Sequence, residues 1–324
     1  DVYKRQAQAD GSLGQIPQNH FYALEVLRVN GSDAQQRRLY AEVLAGQRFG
    51  NALAELGTRT PLDRNTRLTR TADGYRIDGR KFYCTGALFA QRIPTLAIDE
   101  NGVGFLAFVP RQAGGVQVID DWSGFGQRTT GSGSVVFDGV AVAADDVVPF
   151  QSAFERPTTV GPFAQLLHAA IDTGIARGAY EDLLHFVRHK SRPWIDAGID
   201  KASDDPLTQQ DIGKLRVRLA ASEALLERAG EFVDLAQAAP DADSVAAASV
   251  AVAEARAIST ETSLLLGSKL LELAGSRATL AEHGLDRHWR NARTHTLHDP
   301  VRWKYHAVGD FYLNDRQPPR RGTI

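Results

Sequence analysis

Trp122-Ser-Gly-Phe-Gly-Gln-Arg-Thr-Thr-Gly-Ser-Gly-Ser-Val-Val-Phe-Asp-Gly-Val-Ala-Val142 joins a glycine- and hydroxyl-rich turn to an alternating apolar run. The turn lets backbone approach a neighbour closely, and the period of two predicts a β-strand. Upstream, Gly74-Tyr-Arg-Ile77, Lys81-Phe-Tyr83, Thr95 to Ile98, Val103 to Val109 and Val116 to Ile119 repeat that texture, with turns predicted at Asp78-Gly79 and Asp138-Gly139. Residues 58–152 are therefore expected to form an antiparallel β domain. Ahead of it, Leu24, Leu27, Leu39, Val43 and Leu44 recur at helical spacing about a break at Asn30-Gly-Ser-Asp33, so 1–57 reads as a helical pair. Downstream, Ile212, Leu215, Leu219, Ser222, Leu226, Ala229 and Val233 step by three and four, the seam of a helix packed lengthwise on others. Leu167, Ile171, Gly174 and Gly178 give a second seam, Val245 to Leu273 a third helix, and Pro300 to Leu313 a terminal one. With a short loop at Ala236 to Asp243, residues 153–324 are expected to be a four-helix bundle, and the whole chain an α+β fold.

Composition bounds the partners. Lys plus Arg at 37 against Asp plus Glu at 39 leaves no broad basic field for nucleic acid or an anionic membrane. The longest apolar stretches, such as Ser244 to Ala253, fall short of the roughly 20 residues a bilayer needs. No charged-then-apolar leader opens the chain, so a cytoplasmic location is expected. The single cysteine, Cys84, excludes an intrachain disulfide and any multi-cysteine metal site; it reads as a small core residue, and no metal is expected. The 324 residues contain no methionine, which reads as a fragment whose N-terminal helical domain survives only as a remnant, with 1–6 non-native.

No dinucleotide, Walker, zinc-helix or nucleophile-elbow signature is present, so a cofactor would need a less local constellation. The 122–142 turn alone reads equally as a plain β-turn or a ligand cradle. In Gly79-Arg-Lys-Phe-Tyr-Cys-Thr-Gly-Ala87, Tyr83 stands two residues before Thr85, on one face of an expected strand. Such a pair can cover and hydrogen-bond a flat heterocycle, though core packing is the commoner use of such a pair.

These runs, with Gly31 to Gly46, resemble the acyl-CoA dehydrogenase superfamily over nearly the whole chain. The stretch 31–46 is similar to the helix–loop–helix ahead of that family's flavin domain, 79–87 to its GxKxWITN segment, and 122–142 to its GxRxTxSGxVxFxxVxV segment. The resemblance places Tyr83 for the family's flavin-contacting Trp and Thr85 for the Thr near flavin N5. Asn51-Ala-Leu-Ala-Glu55 falls on its flavin strand, with Ala54 lacking the hydroxyl.

The departures narrow the family. Where its dehydrogenases carry a Glu base, this chain has Arg290-Asn-Ala-Arg-Thr-His-Thr-Leu-His-Asp-Pro-Val301, putting the shorter Asp299 near that place between two imidazoles. This run, with Trp303 to Leu313, resembles the dibenzothiophene monooxygenase and sulfur-acquisition branch, in which reduced FMN from a separate reductase activates dioxygen. The resemblance implies that His298 gives a hydrogen bond to the activated oxygen or takes a proton from it, with His295 supporting it or binding substrate. Asn51 and Thr85 would hold the flavin edge, and Trp122 would wall an organosulfur substrate. Arg188-His-Lys-Ser-Arg-Pro-Trp194 resembles the RxxF segment that reaches a neighbouring subunit's flavin, implying Arg192 for the phosphate, Trp194 for the Phe, and a homotetramer. Arg188 is a second candidate, and Arg192 reads equally as a helix cap. Ala274-Gly-Ser-Arg-Ala278 in place of the GGxG loop favours FMN over FAD. Alternatives are an FAD-dependent acyl-CoA dehydrogenase with Asp299 as base, and a cofactor-free assembly or binding module. His168, His185, His189, His283, His288 and His306 are expected to be surface or packing residues.

Overall fold

A computed structural model describes residues 2–60 and 63–323. The chain divides into two compact units, one of 1–14, 125–127 and 164–324, the other of 15–124 and 128–163. The second unit holds one seven-stranded sheet. Its strands are β1 (Arg67–Thr71), β2 (Gly74–Lys81), β3 (Arg92–Ile98), β4 (Gly104–Pro110), β5 (Val116–Ile119), β6 (Ser134–Val142) and β7 (Val147–Pro149), in the order β5-β6-β2-β1-β3-β4-β7. Every strand pairing is antiparallel except β1 with β3, which run parallel where Arg67 meets Ile98. Ile77, Ile93, Ala97, Val109, Val135, Phe137 and Val140 fill one core.

The turns expected at Asp78-Gly79 and Asp138-Gly139 are not turns. Both dipeptides lie inside strands, β2 and β6, where the register shifts between Ile77 and Gly79. The Asp78 carboxylate accepts the Gly139 N–H at 2.8 Å, and a Cβ at Gly79 would stand 2.6 Å from Thr66 Oγ1. A bulge uses the same residues as a hairpin turn, and only strand pairing separates them.

Helices α1 (Val2–Ala9), α2 (Gly11–Gln15), α3 (Gln18–Asn30) and α4 (Asp33–Leu44) precede the sheet. The break between α3 and α4 falls where expected, and Ser32 and Gln35 form a reciprocal capping box. Residues 2–6, set aside on sequence, lie in α1.

After the short α5 (Ser152–Glu155) come α6 (Val160–His189), α7 (Pro206–Ala238), α8 (Ala242–Ala274), α9 (Asp286–His295) and α10 (Arg302–Asn314). The expected seams are buried: Leu215, Leu219, Ser222, Ala229 and Val233 on α7, Leu167 and Ile171 on α6. Gly174 admits α1, because a Cβ there would lie 2.4 Å from the Lys4 carbonyl oxygen. The α7–α8 loop is shorter than expected, Ala239 to Asp241, with Asp241 capping α8 through the Ser244 N–H. Helix α9 was not anticipated, and it carries His295 at its last position.

Candidate active site

In the sheet unit the polar residues gather just past the end of β2. Lys81, buried, reaches Glu55 at 2.6 Å, and Glu55 also accepts from Thr66 Oγ1 at 2.8 Å and the Asn65 N–H at 2.7 Å. Burial alone would raise the Glu55 carboxyl, but the Lys81 hydrogen bond and charge outweigh it and hold it at about 2. Burial in turn lowers Lys81 to about 8. This pair pins the 51–55 segment to the end of β2, where Phe82 N–H also donates to the Ala54 carbonyl at 3.1 Å.

Tyr83 and Thr85 do not share a strand face, contrary to expectation. The strand stops at Lys81, Tyr83 adopts a left-handed φ of 59°, and Thr85 N–H folds back to the Tyr83 carbonyl at 2.8 Å. The segment is stitched to the glycine-rich turn by Cys84 N–H on Gly133 and Gly86 N–H on Thr130. Thr85, Ser132 and Thr130 form a buried hydroxyl chain with both steps at 2.7 Å. Asn51 Nδ2 donates to the Tyr83 carbonyl at 3.0 Å, while its buried Oδ1 has no hydrogen-bond partner among the described residues. Tyr83 is 46% exposed, and its ring lies edge-on to the half-buried Trp122 at 6.2 Å. An orphaned buried acceptor, a hydroxyl chain and aromatic rings fit the polar edge and flat face of a flavin. Cys84, as expected, is a core residue, its thiol pushed up by burial to about 12.

In the helical unit four segments converge on His295. This residue is fully buried: Nδ1 meets Asp172 Oδ1 at 2.5 Å, and Nε2 meets His168 Nδ1 at 3.0 Å. The substrate-binding role expected of His295 does not fit, since both ring nitrogens are engaged inside the unit. Asp172 is clamped on its other oxygen by the buried Arg256 of α8. His298, one turn past α9, donates Nδ1–H to the His295 carbonyl oxygen at 2.6 Å, and its ring packs on His168 at 4.7 Å. Of the three histidines it is the exposed one. Desolvation and the neighbouring His295 and Arg256 charges lower its pKa to about 4. Because a carbonyl only accepts, neutral His298 carries its lone pair on Nε2.

Asp299 is buried 3.5 Å from Lys304 Nζ and 4.0 Å from Arg256 Nη2. Buried and ion-paired inside the unit, this carboxylate is not an open base, which weighs against the dehydrogenase reading. The ligand-capable nitrogens of His168, His295 and His298 lie within 4.8 Å of one another. One pair of them already shares a hydrogen bond and two buried cations adjoin, so the cluster is built as a hydrogen-bonded chain. His168, expected to be ordinary, was missed; its spacing of four from Asp172 within an apolar seam was the available signal.

Arg192 and Trp194 lie in the loop after α6, both exposed, Trp194 at 71% with Nε1 on Asp196 at 3.1 Å. Among the described residues no carboxylate pairs with Arg192.

Residues 166–303 match the family model for the acyl-CoA dehydrogenase C-terminal domain. The chain is 34% identical to dibenzothiophene monooxygenase of Rhodococcus erythropolis, over 98% of this chain and 80% of that protein. The chain belongs to the dibenzothiophene monooxygenase branch of the acyl-CoA dehydrogenase superfamily. Within that branch it is also similar to a probable FMNH2-dependent monooxygenase of Pseudomonas putida, 32% identical over 98% of this chain and 81% of that one. The FMN-bound crystal structure of TdsC from Paenibacillus superposes with a TM-score of 0.94 at 35% identity, covering 98% of this chain and 84% of the other. The mixed α+β architecture expected from the sequence is the architecture of this family. No helix among the described residues is long and apolar enough to cross a membrane.

Proposed function

We propose that this protein is the oxygenating component of a two-component system, using reduced FMN from a separate flavin reductase and dioxygen to oxygenate a small organosulfur compound. The observation that carries the reading is the hydrogen bond from His298 Nδ1 to the His295 carbonyl. It leaves the lone pair of a neutral imidazole on Nε2, and His298 is the exposed member of the histidine cluster.

Asn51 Oδ1 and the Thr85–Ser132 hydroxyls hold the polar edge of the flavin, and the Tyr83 ring covers its face. Trp122 supplies an apolar wall for the sulfur compound. Arg192, with Trp194 beside it, holds the phosphate of a cofactor bound by a neighbouring copy, in a homotetramer located in the cytoplasm. When bound, reduced FMN supplies the electrons that activate dioxygen for transfer of one oxygen atom to sulfur. His298 holds or accepts the proton in that transfer at Nε2, its lowered pKa leaving the imidazole neutral at physiological pH. FMN is preferred to FAD on the same grounds as the branch itself, whose named members include one that uses FMNH2 and one that binds FMN.

The test supplies the purified chain with FMN, NADH, a flavin reductase, dioxygen and dibenzothiophene, and in parallel with butyryl-CoA and a dye acceptor. Sulfoxide or sulfone in the first mixture and no dye reduction in the second are expected. Dye reduction without sulfur oxidation would overturn the reading.

A further inference from the structure

One buried histidine of the sheet unit has no part in the chemistry described above. His20 lies in the first turn of α3, its ring edge-on to Phe21 and Phe49 at 4.9 and 5.3 Å. Its Nδ1 accepts the Phe49 N–H at 3.1 Å. A backbone amide can only donate, so this contact needs a lone pair on Nδ1 and makes His20 a neutral imidazole with its hydrogen on Nε2. The tautomer follows from the amide alone.

Phe49 opens the segment that carries Asn51. Gly50 and Ala52 donate to the Arg92 and Pro94 carbonyls of β3 at 2.9 and 3.0 Å, and the Leu96 N–H returns to the Ala52 carbonyl at 3.0 Å. This short parallel pairing with β3 does not take up the N–H of the buried Phe49, which goes to His20 instead. A buried amide without an acceptor is costly, so the imidazole holds the segment at a point that β3 does not. Two residues on, Asn51 gives Nδ2 to the Tyr83 carbonyl and presents an Oδ1 that has no partner among the described residues.

We propose that His20 is a positioning residue for flavin binding: in its neutral form it fixes the Phe49 amide, and through it the backbone from which Asn51 presents Oδ1, and a proton on Nδ1 breaks that hold. The inference rests on the proposed flavin role of Asn51, whereas the His20–Phe49 bond stands without it. Burial first, and then the charge of Arg48, lower the His20 pKa below 6.5. The acceptor is therefore in place at neutral pH and is lost only in acid.

Three proteins test this: wild type, His20→Asn, whose amide oxygen can stand where Nδ1 stands and does not titrate, and His20→Leu, which has no acceptor. At pH 7.5, H20N should bind FMN within about 2-fold of wild type, and H20L about 10-fold more weakly. Between pH 7.5 and 5 the wild type should lose about 3-fold more affinity than H20N, since ionisation of the FMN phosphate affects both alike and cancels in the ratio. Amide exchange at Phe49 should be slow in wild type and H20N and fast in H20L, and side-chain nitrogen NMR of wild type should show His20 as Nε2–H. An Nδ1–H form of His20, H20L that binds FMN like wild type, or wild-type and H20N affinities that track each other with pH, would overturn the proposal. A wild type that binds no FMN, yet shows the tautomer and the exchange difference, refutes the flavin role of Asn51 and not the His20–Phe49 bond.

Discussion

His298 ties its chemistry to its pH response. Its folded pKa, about 4, lies below the ordinary 6.5, because burial and the adjoining His295 and Arg256 disfavour a cation there. Between those two values the unfolded chain binds the proton and the folded chain does not. Stability is therefore unaffected by this group above pH 6.5, declines as the pH falls from 6.5 towards 4, and gains no further slope from it below 4. His168, pushed well below 6.5 by burial and by His298, His295, Arg256 and Lys304, acts in the same sense. Urea midpoints measured from pH 7.5 to 4 should drop across this window, and H298Q should flatten part of the drop; an identical slope in the variant would contradict the assignment. His298 and His295 were visible in the sequence through the resemblance of their run to the family branch. It could not reveal Asp172 or Arg256, since a carboxylate and a guanidinium inside long helices look like surface residues until the helices are packed.

At the scale of elements, the helical seams were legible because packing on a straight helix repeats every three or four residues whatever lies opposite. The strands were legible for the analogous reason, their period of two. What failed was the end of β2: Asp78-Gly79 read as a turn and Tyr83 to Thr85 as strand, whereas the chain bulges at the first and turns at the second. Both errors concern partner strands distant in sequence, which no local pattern records. The ion pair at that strand end now carries a prediction. Lys81 and Glu55 have side chains 0% and 3% exposed, so Glu55→Gln leaves a cation buried without its charge partner. It should cost roughly 3 kcal/mol in denaturant unfolding and weaken FMN binding by loosening the 51–55 segment against Tyr83. Unchanged stability would mean that the pair is solvated in solution.

For the whole molecule, the family assignment accounts for a sheet unit and a helical unit in one chain, each bearing some of the candidate side chains. Arg192 is the residue whose proposed role depends on more than one copy. Exposed and without a carboxylate partner among the described residues, it should be replaceable by Ala with no loss of folding stability. R192A should nevertheless bind FMN about 10-fold more weakly, as loss of a charge-assisted contact to phosphate implies. Riboflavin, which lacks the phosphate, should bind wild type and variant alike. Equal FMN affinity in the two proteins would shift the phosphate role to Arg188 or elsewhere.

The proton-accepting face of His298 is tested most directly by coupling: moles of sulfoxide formed per mole of dioxygen consumed, in wild type and H298A, under the same supply of reduced FMN. The account predicts high coupling in the wild type and a drop of at least about 10-fold in the variant, the missing oxygen appearing as hydrogen peroxide while FMN binding holds. Equal coupling in the two proteins would contradict it.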